Sequence, residues 1–278
     1  MSTTTQHFST PAPWKKPFLE HVNKMSSPEF VLSTLTPAPK DSPTPYLPRA
    51  RYCIYRGMWT ELPENKHNDA PKNPKVYESE MPTFTTDVRM EKVGQLFASS
   101  AGHADRESLI QGSGGGGPVE AVWWVKEEGI MTQWRIKGEA FVVGQDIEKD
   151  ESSSGVRTVK SEVGSRMKVV QQGEGKEGEW SWLKEMDGHF GNCSPGMRGS
   201  WKNPPPGKPK DAPYDTSLKV GNKVEDLHDE VARKNFRVVI IKPESVEQCD
   251  ISDPEKAHRI VYTYQSESND WKQVETWP

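Results

Sequence analysis

Alternating apolar and polar residues predict that this chain is built mainly from β-strands. The clearest signal is a hairpin, in which a strand over residues 119–125, a turn at 127–129 and a long strand over 130–144 follow one another. Along the second strand, one face carries apolar or small residues and the other carries polar ones, namely Trp134, Ile136, Gly138, Ala140 and Val142 against Gln133, Arg135, Lys137 and Glu139. The apolar face suits the interior of a barrel, and the polar face suits solvent, a ligand or a second subunit.

Similar patterns predict the other regular elements. Clusters of β-branched and aromatic residues predict strands over residues 29–36, 51–57, 84–86, 236–242, 246–250, 259–264 and 271–276. Helical spacing of apolar residues predicts helices over 14–25, 158–170, 180–190 and 224–235. One more helix is predicted to follow Asp87, a residue suited to cap its start, with Val93, Leu96 and Phe97 on one face. Spacing alone therefore indicates a mostly β protein with peripheral helices.

Long polar segments separate these elements. Residues 1–12 are predicted to be a flexible N-terminus and residues 13–278 a single domain, with mobile insertions over 61–82, 99–118, 146–157 and 171–179. Within the insertion over 99–118, residues 113–117 read Ser-Gly-Gly-Gly-Gly. A nucleotide-binding loop is rejected there, because no Gly-Lys-Ser/Thr follows and the next element is a strand.

Composition excludes several classes of function. The chain has 278 residues, 33% of them hydrophobic, and a formal net charge of −4, which gives no general attraction to nucleic acid or to acidic membranes. Its three cysteines, Cys53, Cys193 and Cys249, are widely spaced, so neither a disulfide framework nor a structural metal site is expected. No apolar run is long enough to span a bilayer. We therefore expect a cytoplasmic protein, with a mitochondrial location left open.

Two segments carry candidate chemistry for an anion. The strand ending at Thr85 and Thr86 runs into a helix start, where unpaired backbone N–H groups and the helix dipole meet Arg89 and Lys92. An ordinary helix start with solvated cations is the simpler interpretation of this segment taken alone. The strand over 51–57 adds an arginine at each end, Arg51 and Arg56. Strict alternation places these two arginines on opposite faces, so a bulge or strand end is needed if both are to serve one site.

In this order and at these intervals, three segments resemble the pyridoxamine 5'-phosphate oxidase-like FMN-binding split barrels. They are Arg51 to Gly57, Phe84 to Lys92 (FTTDVRMEK) and Gln133 to Gly138, and the similarity extends from about Pro13 to the C-terminal Pro278. The resemblance implies a six-stranded split β-barrel with long loop insertions. It also implies FMN as the cofactor and a homodimer with FMN at the subunit interface, acting on a small-molecule substrate.

The resemblance implies roles for ten residues. Arg51, Arg89 and Lys92, with the hydroxyls of Thr85 and Thr86, would hold the FMN phosphate. Ile54 would contact the cofactor, and Gln133 and Arg259 would lie at the polar edge of its ring system. Arg56 and Arg198 are the substrate-side candidates, although Arg198 stacked on Trp201 as plain structure is equally compatible with the sequence. No side chain is assigned a catalytic role of its own, since the cofactor supplies the chemistry.

The sequence also departs from the oxidases at residues that matter. Met90 and Glu91 replace a serine and a basic residue of the phosphate loop, and Glu255 and Ala257 replace an arginine and a histidine that grip the substrate. A glutamate there should repel a phosphorylated substrate. We therefore expect an FMN-dependent oxidoreductase with a changed substrate site, and not an efficient pyridoxamine phosphate oxidase. A non-catalytic flavin-binding or storage protein is the alternative; heme binding has weak support, because no histidine lies on the predicted barrel face with a matching partner.

Overall fold

Ten strands and six α-helices form the described part of the chain, which a computed structural model places over residues 11–100, 112–149, 151–170 and 177–278. The strands are β1 (Glu29–Pro37), β2 (Tyr46–Met58), β3 (Tyr77–Glu78), β4 (Pro82–Asp87), β5 (Gly114–Glu127), β6 (Ile130–Val143), β7 (Lys168–Val169), β8 (Phe236–Asp250), β9 (His258–Gln265) and β10 (Asp270–Thr276). The helices are α1 (Lys15–Val22), α2 (Glu91–Ala98), α3 (Ser154–Gly164), α4 (Trp182–Gly191), α5 (Pro195–Ser200) and α6 (Glu230–Asn235).

Six of the strands close into a ring. Antiparallel pairing runs β1–β5–β6–β8–β4–β2 and returns from β2 to β1. The first part of β8 pairs with β4, and its last residues, Ser245–Asp250, pair with β9, to which β10 is added. The long strand β8 therefore pairs with β6 on one side almost throughout, while on its other side β4 is replaced by β9. This closed, mostly β arrangement confirms the predicted fold class.

Two apolar cores lie on the two sides of this ring. Inside it, Phe30 stacks on Trp123 at a centroid distance of 4.4 Å, and Phe18 of α1 packs edge-on to Trp134 at 5.5 Å. Outside it, α3, α4 and α5 cover the face of β4, β6 and β8 with a second cluster that includes Phe190 and Val238. Part of the outer face of the ring is thereby covered by helices and part remains exposed.

The predicted hairpin is present as β5 and β6, but β5 begins earlier than expected. Gly114–Pro118, which we predicted to lie in a mobile loop, pair with β6 from Val142 to Glu139. Helix α2 explains the glycines, because a Cβ on Gly117 would lie 2.6 Å from the carbonyl oxygen of Leu96. The glycine run is thus the part of a strand that a helix crosses at close range. Residues 101–111 of the same predicted loop lie outside the described residues.

Other differences arise from contacts that no local pattern contains. The helix predicted over 158–170 ends at Gly164, and Lys168–Val169 pair instead with Tyr77–Glu78 inside the predicted insertion 61–82. The helix predicted over 224–235 begins only at Glu230, where the Asp229 carboxylate accepts from the Ala232 N–H at 2.9 Å.

Two further predictions also need correction. The two strands expected over 236–250 are the single strand β8, and the short helix α5, which carries Arg198, lies in a stretch for which no element was predicted. Asp87 does not cap α2, whose N-cap residue is Met90. Val93, Leu96 and Phe97 are buried as predicted. The predicted insertion 146–157 includes the start of α3. Residues 1–10 of the predicted N-terminal segment and residues 171–176 of the predicted insertion 171–179 lie outside the described part of the chain. The division into a single domain stays a prediction.

Candidate functional site

Strand β2 and helix α2 bring two cations together at the inner face of the ring. Arg51 pairs across the ladder with the fully buried Leu32, which places Arg51 on that inner face. Its guanidinium donates to Thr34 Oγ1 at 2.6 Å, to the Leu32 carbonyl at 3.1 Å and to Gln95 Oε1 at 2.6 Å. Since Gln95 lies on α2, this last bond ties the arginine to the helix that carries Lys92.

Lys92 reaches the same place from the first turn of α2. Its ammonium donates to Thr86 Oγ1 at 3.2 Å and lies 2.9 Å from the sulfur of Met90. Burial, together with repulsion from Arg51, lowers the pKa of Lys92. Within the described ranges, neither cation has a carboxylate within ion-pair distance, so the structure buries two positive charges beside neutral partners only. Such a place is suited to an anion.

The cysteine between these cations does not supply the missing negative charge. Cys53 is buried two residues along β2 from Arg51, and burial raises the pKa of its thiol to about 11, against the opposing influence of Lys92 and Arg51. The thiol is therefore neutral at physiological pH. The first turn of α2, with no side-chain cap on its N–H groups, adds further positive potential beside Lys92.

The two threonines of β4 face in different directions. Thr86 lies on the side of Lys92 and accepts its hydrogen bond. Thr85 lies on the opposite side, where its register partner Val238 belongs to the outer apolar cluster and its own buried hydroxyl has no hydrogen-bond partner among the described residues. Only Thr86 is therefore placed with Arg51 and Lys92, and a phosphate contact by Thr85 is not supported by this geometry.

Arg89 is already held by other groups. Asp87 accepts from its guanidinium at 2.9 Å and 2.6 Å, and the carbonyl oxygens of Trp201 and Asn203 accept at 3.2 Å and 2.9 Å. The predicted contact of Arg89 with a phosphate is not supported, because a carboxylate neutralises its charge and its donors are engaged. The arginine instead connects the end of β4 to the segment after α5.

Gln133 and Arg259 lie on the outer face of the sheet, in one row. Both are register partners of Cys249, from β6 and β9 respectively, so they flank this residue on the same face. The row continues into Trp124, which is 48% exposed and opposite Gln133. The Nε atom of Arg259 is buried without a hydrogen-bond partner among the described residues. Arg51 lies on the inner face. One copy of the chain therefore presents Arg51 on one side of the ring of strands, and Gln133 and Arg259 on the other side.

Ile54 and Arg56 lie on the opposite face of β2 from Arg51, as the alternation predicts. The register of β2 with β4 shifts between Tyr55 and Met58, and Gly57 there has a φ of +111°. This irregularity follows Arg56 directly and turns the chain where a 410 Å³ cavity opens beside the arginine. An irregularity is thus present near Arg56, but it does not bring Arg51 and Arg56 to the same face, which a site shared by both arginines would need.

His189 is a site residue that sequence reasoning missed. It lines the same cavity from α4, stacks on Trp59 at 5.8 Å with an interplanar angle of 11°, and has no hydrogen-bond partner on either ring nitrogen among the described residues. Burial and the charge of Arg56 lower its pKa to about 3. The only nearby residue of related chemistry in the sequence is Cys193, four residues later, and that spacing gives no indication of Arg56 as a neighbour.

Arg198 lies elsewhere and has a structural environment. It is 5% exposed and donates to the carbonyl oxygens of Val224, Gly191 and Cys193 at 2.8, 3.2 and 2.9 Å. Its predicted substrate-side role is not supported, because its donors are engaged by buried backbone oxygens. Across the described ranges, no group of three or more His, Cys, Asp or Glu side chains is arranged to hold a metal ion, and no helix is long and apolar enough to cross a membrane.

Comparisons with known proteins concern the fold and the cofactor. Residues 11–144 match the family model described as pyridoxamine 5'-phosphate oxidase, FMN-binding domain. The crystal structure of a pyridoxamine 5'-phosphate oxidase-related, FMN binding protein of Nostoc punctiforme has a similar fold, with a TM-score of 0.55 and 16% identity over 96% of this chain and 98% of that chain. PhzG of Burkholderia lata gives a TM-score of 0.42 at 13% identity, over 95% of this chain and 88% of that chain. No curated protein matches the chain.

Proposed function

We propose that the protein is an FMN-dependent oxidoreductase with a changed substrate site. The premise is that residues 11–144 match the family model described as pyridoxamine 5'-phosphate oxidase, FMN-binding domain, which supports FMN as the cofactor. One observation carries the proposal for this chain's own residues. Arg51 and Lys92 are two neighbouring, partly buried cations with neutral hydrogen-bond partners and no carboxylate in ion-pair distance among the described residues. A phosphate dianion supplies the compensating charge.

The residues of the inner face fit the FMN phosphate. Lys92, Arg51 and the N–H groups of the first turn of α2 would donate to it, while Thr86, which accepts from the Lys92 ammonium, would position Lys92. Met90 takes the place of the serine found in the oxidases, so one hydroxyl donor is missing from the loop. Bound FMN supplies two-electron redox chemistry, and the protein's part is to hold, orient and shield it.

We propose that a second copy of the chain completes the site. Gln133 and Arg259 would contact the polar edge of the FMN ring system, yet they lie on the outer face, away from Arg51. A single chain does not present both groups to one ligand, whereas an interface that places one copy's outer face against its partner does. The exposed apolar residues of that face, Tyr52 at 75%, Trp124 at 48% and Val274 at 46%, support such an interface.

The substrate-side cavity is proposed to lie at Arg56. Its guanidinium attracts an anionic group, and the Nε atom has no hydrogen-bond partner among the described residues. With a pKa of about 3, His189 stays neutral at physiological pH, so it offers one N–H donor and one acceptor without adding charge. Glu255, exposed in the turn before β9, disfavours a phosphorylated substrate. A small carboxylate is the substrate class that these groups fit.

The first test is the absorbance spectrum of purified protein, with mass analysis of any cofactor released by heat. A flavin spectrum and the mass of FMN are expected. A colourless protein that also fails to take up added FMN would overturn the proposal. Sedimentation is expected to give the mass of a dimer for the FMN-loaded protein, and an FMN-loaded monomer would refute the shared site.

A second test separates an oxidoreductase from a flavin storage protein. Anaerobic reduction of the bound flavin by NADH or NADPH, followed by turnover when an electron acceptor is added, is expected of the enzyme. Flavin that no donor reduces would favour storage. Pyridoxamine phosphate is expected to give no turnover at ordinary enzyme rates, and ready formation of pyridoxal phosphate would contradict the changed substrate site.

A further inference from the structure

A second cavity lies away from the ring, between the segment that follows β2 and helix α4. Its volume is 510 Å³, a size typical of sites for small organic ligands, and its walls include the apolar side chains of Leu62, Pro71, Pro74, Tyr77 and Val170. It shares a few lining residues with the cavity beside Arg56, but neither Arg56 nor His189 lines it. No role in FMN binding involves this cavity.

Asparagine side chains hold the polar wall of this cavity in place. Asn68 donates to Asn192 Oδ1 at 2.7 Å, and Asn192 donates to the Pro63 carbonyl at 2.8 Å. Asn73 donates to the Ser181 carbonyl and accepts from the Ser181 N–H, each at 2.9 Å. These bonds fix the segment before β3 against α4, so the cavity is a built feature and not a gap between loosely packed loops.

One carboxyl group in this wall lacks part of its hydrogen bonding. Glu185 is 5% exposed, and its Oε2 accepts from Asn73 at 2.9 Å, but its Oε1 is buried without a hydrogen-bond partner among the described residues. Burial raises the pKa of Glu185, and nearby Glu61 acts in the same direction, although Asn73 and the Thr60 backbone amide oppose them. A buried carboxylate oxygen that accepts nothing is costly, and its cost is removed by a ligand that donates to it.

The residue beside this carboxyl group has a strained backbone. Thr60 has a φ of +72°, in the left-handed region that β-branched residues rarely adopt, and its buried hydroxyl has no hydrogen-bond partner among the described residues. Such conformations are energetically unfavourable and persist where the surrounding structure imposes them, often at ligand sites. Thr60 and Glu185, each with one buried side-chain oxygen that lacks a hydrogen-bond partner among the described residues, therefore lie in the wall of one cavity that also has apolar lining residues.

We propose that this cavity binds a small organic molecule that carries a protonated primary amine. The ammonium would donate to Glu185 Oε1 and Thr60 Oγ1, and the hydrocarbon part would lie against the prolines and Leu62. An ammonium group has three donors and a positive charge, which matches one carboxylate and one hydroxyl oxygen. Anions are disfavoured, because Glu185 lines the cavity with no cation in ion-pair distance among the described residues, while the lining lysines Lys72, Lys75 and Lys184 are exposed to solvent.

The test compares three probes of nearly equal shape on the full-length, FMN-loaded protein. They are 2-phenylethylammonium, neutral 2-phenylethanol and anionic 3-phenylpropionate, each titrated by calorimetry at low salt. Only the ammonium is expected to bind, without change in the visible flavin absorbance. Equal binding of the alcohol, or no binding of the ammonium at millimolar concentration, would overturn the proposal. Binding accompanied by a shift of the flavin spectrum would also overturn it, because the probe would then lie at the flavin.

Variants add a second measurement. Glu185→Gln keeps the shape and the acceptor for Asn73 but removes the charge, so ammonium affinity should fall about 10- to 100-fold. Glu64→Gln is the matched control, since Glu64 lies at the same cavity but is 83% exposed, and it should change the affinity less than about threefold. Equal losses in both variants would indicate attraction by the rim alone and refute the role of Glu185. If Glu185→Gln does not fold, the probe series on the unmodified chain still decides the question.

Discussion

Replacement of Lys92 by methionine should have opposite effects on cofactor affinity and on the stability of the cofactor-free protein. The ammonium of Lys92 is expected to donate to the FMN phosphate, and a hydrogen bond between charged groups contributes about 1.5–3 kcal/mol. Because about 1.4 kcal/mol corresponds to a tenfold change in Kd, the variant should bind FMN about 10- to 150-fold more weakly. Fluorescence titration of the apoprotein with FMN measures this loss directly.

Without FMN, the same lysine is expected to destabilise the fold. Burial and Arg51 lower the pKa of Lys92 below its ordinary value of 10.5. Below the folded-state pKa both states carry the proton, and the native state bears the full cost of the buried charge. As the pH rises through the folded-state pKa toward 10.5, the native state loses its proton first, so this cost declines and the apoprotein gains stability. Lys92→Met lacks that cost at every pH.

The apo variant should therefore melt at the same temperature as the unmodified apoprotein or higher near neutral pH, and the difference should shrink toward high pH. The lost hydrogen bond to Thr86 limits the gain to about 1 kcal/mol. Lys219→Met is the matched control, because Lys219 is exposed in the segment between α5 and α6 and has no proposed contact with FMN or with a second copy, and it should leave both FMN affinity and melting temperature unchanged. Unchanged FMN affinity in Lys92→Met, or a large loss of apo stability, would refute the reasoning.

Three further experiments test the structural role of Arg198, the close contact at Gly138 and the burial of Cys53. Arg198→Ala should lower the free energy of unfolding by about 2–4 kcal/mol, because three carbonyl oxygens lose their donor. FMN affinity should be retained. A loss of activity without a loss of stability would instead support a substrate-side role for Arg198. Gly138→Ala should lower the free energy of unfolding, measured by denaturant titration, by about 1–3 kcal/mol or more, since its Cβ would lie 2.0 Å from the Lys242 carbonyl oxygen. An unchanged free energy of unfolding would contradict that close contact. Mass mapping after alkylation at neutral pH should find Cys249 modified before Cys53, whose thiol pKa burial raises to about 11, and the reverse order would be inconsistent with that burial.

The strands were predictable because each carries its own period-two pattern. Hairpin β5–β6 and the positions of β1, β2, β4, β9 and β10 follow from alternation and turn residues. The closure of the ring between β6 and β8 did not follow, because pairing of distant strands is set by the packed core and not by local pattern. The same reason explains Lys168–Val169, whose strand partner lies about ninety residues earlier in the chain.

Some residues of the candidate site were likewise predictable from the sequence, and others were not. Local spacing identified Arg51 and Lys92, and the fold brings them together through Gln95, one turn along α2. His189 and the role of Arg198 were not predictable, since their surroundings come from segments that only the tertiary structure assembles. Sequence gives the charge of a side chain but not the group that faces it.

The group that faces each cation decides which cation can bind a phosphate. Arg89 and Lys92 are three residues apart at the start of α2, and both carry a positive charge. Asp87 and two carbonyl oxygens, 112 and 114 residues further along, hold Arg89, whereas Lys92 has a hydroxyl and a sulfur as neighbours. A phosphate would have to displace a carboxylate from Arg89, but it meets an uncompensated charge at Lys92. The anion site therefore depends on neutral partners that leave the charge of Lys92, with that of Arg51, free to attract the phosphate.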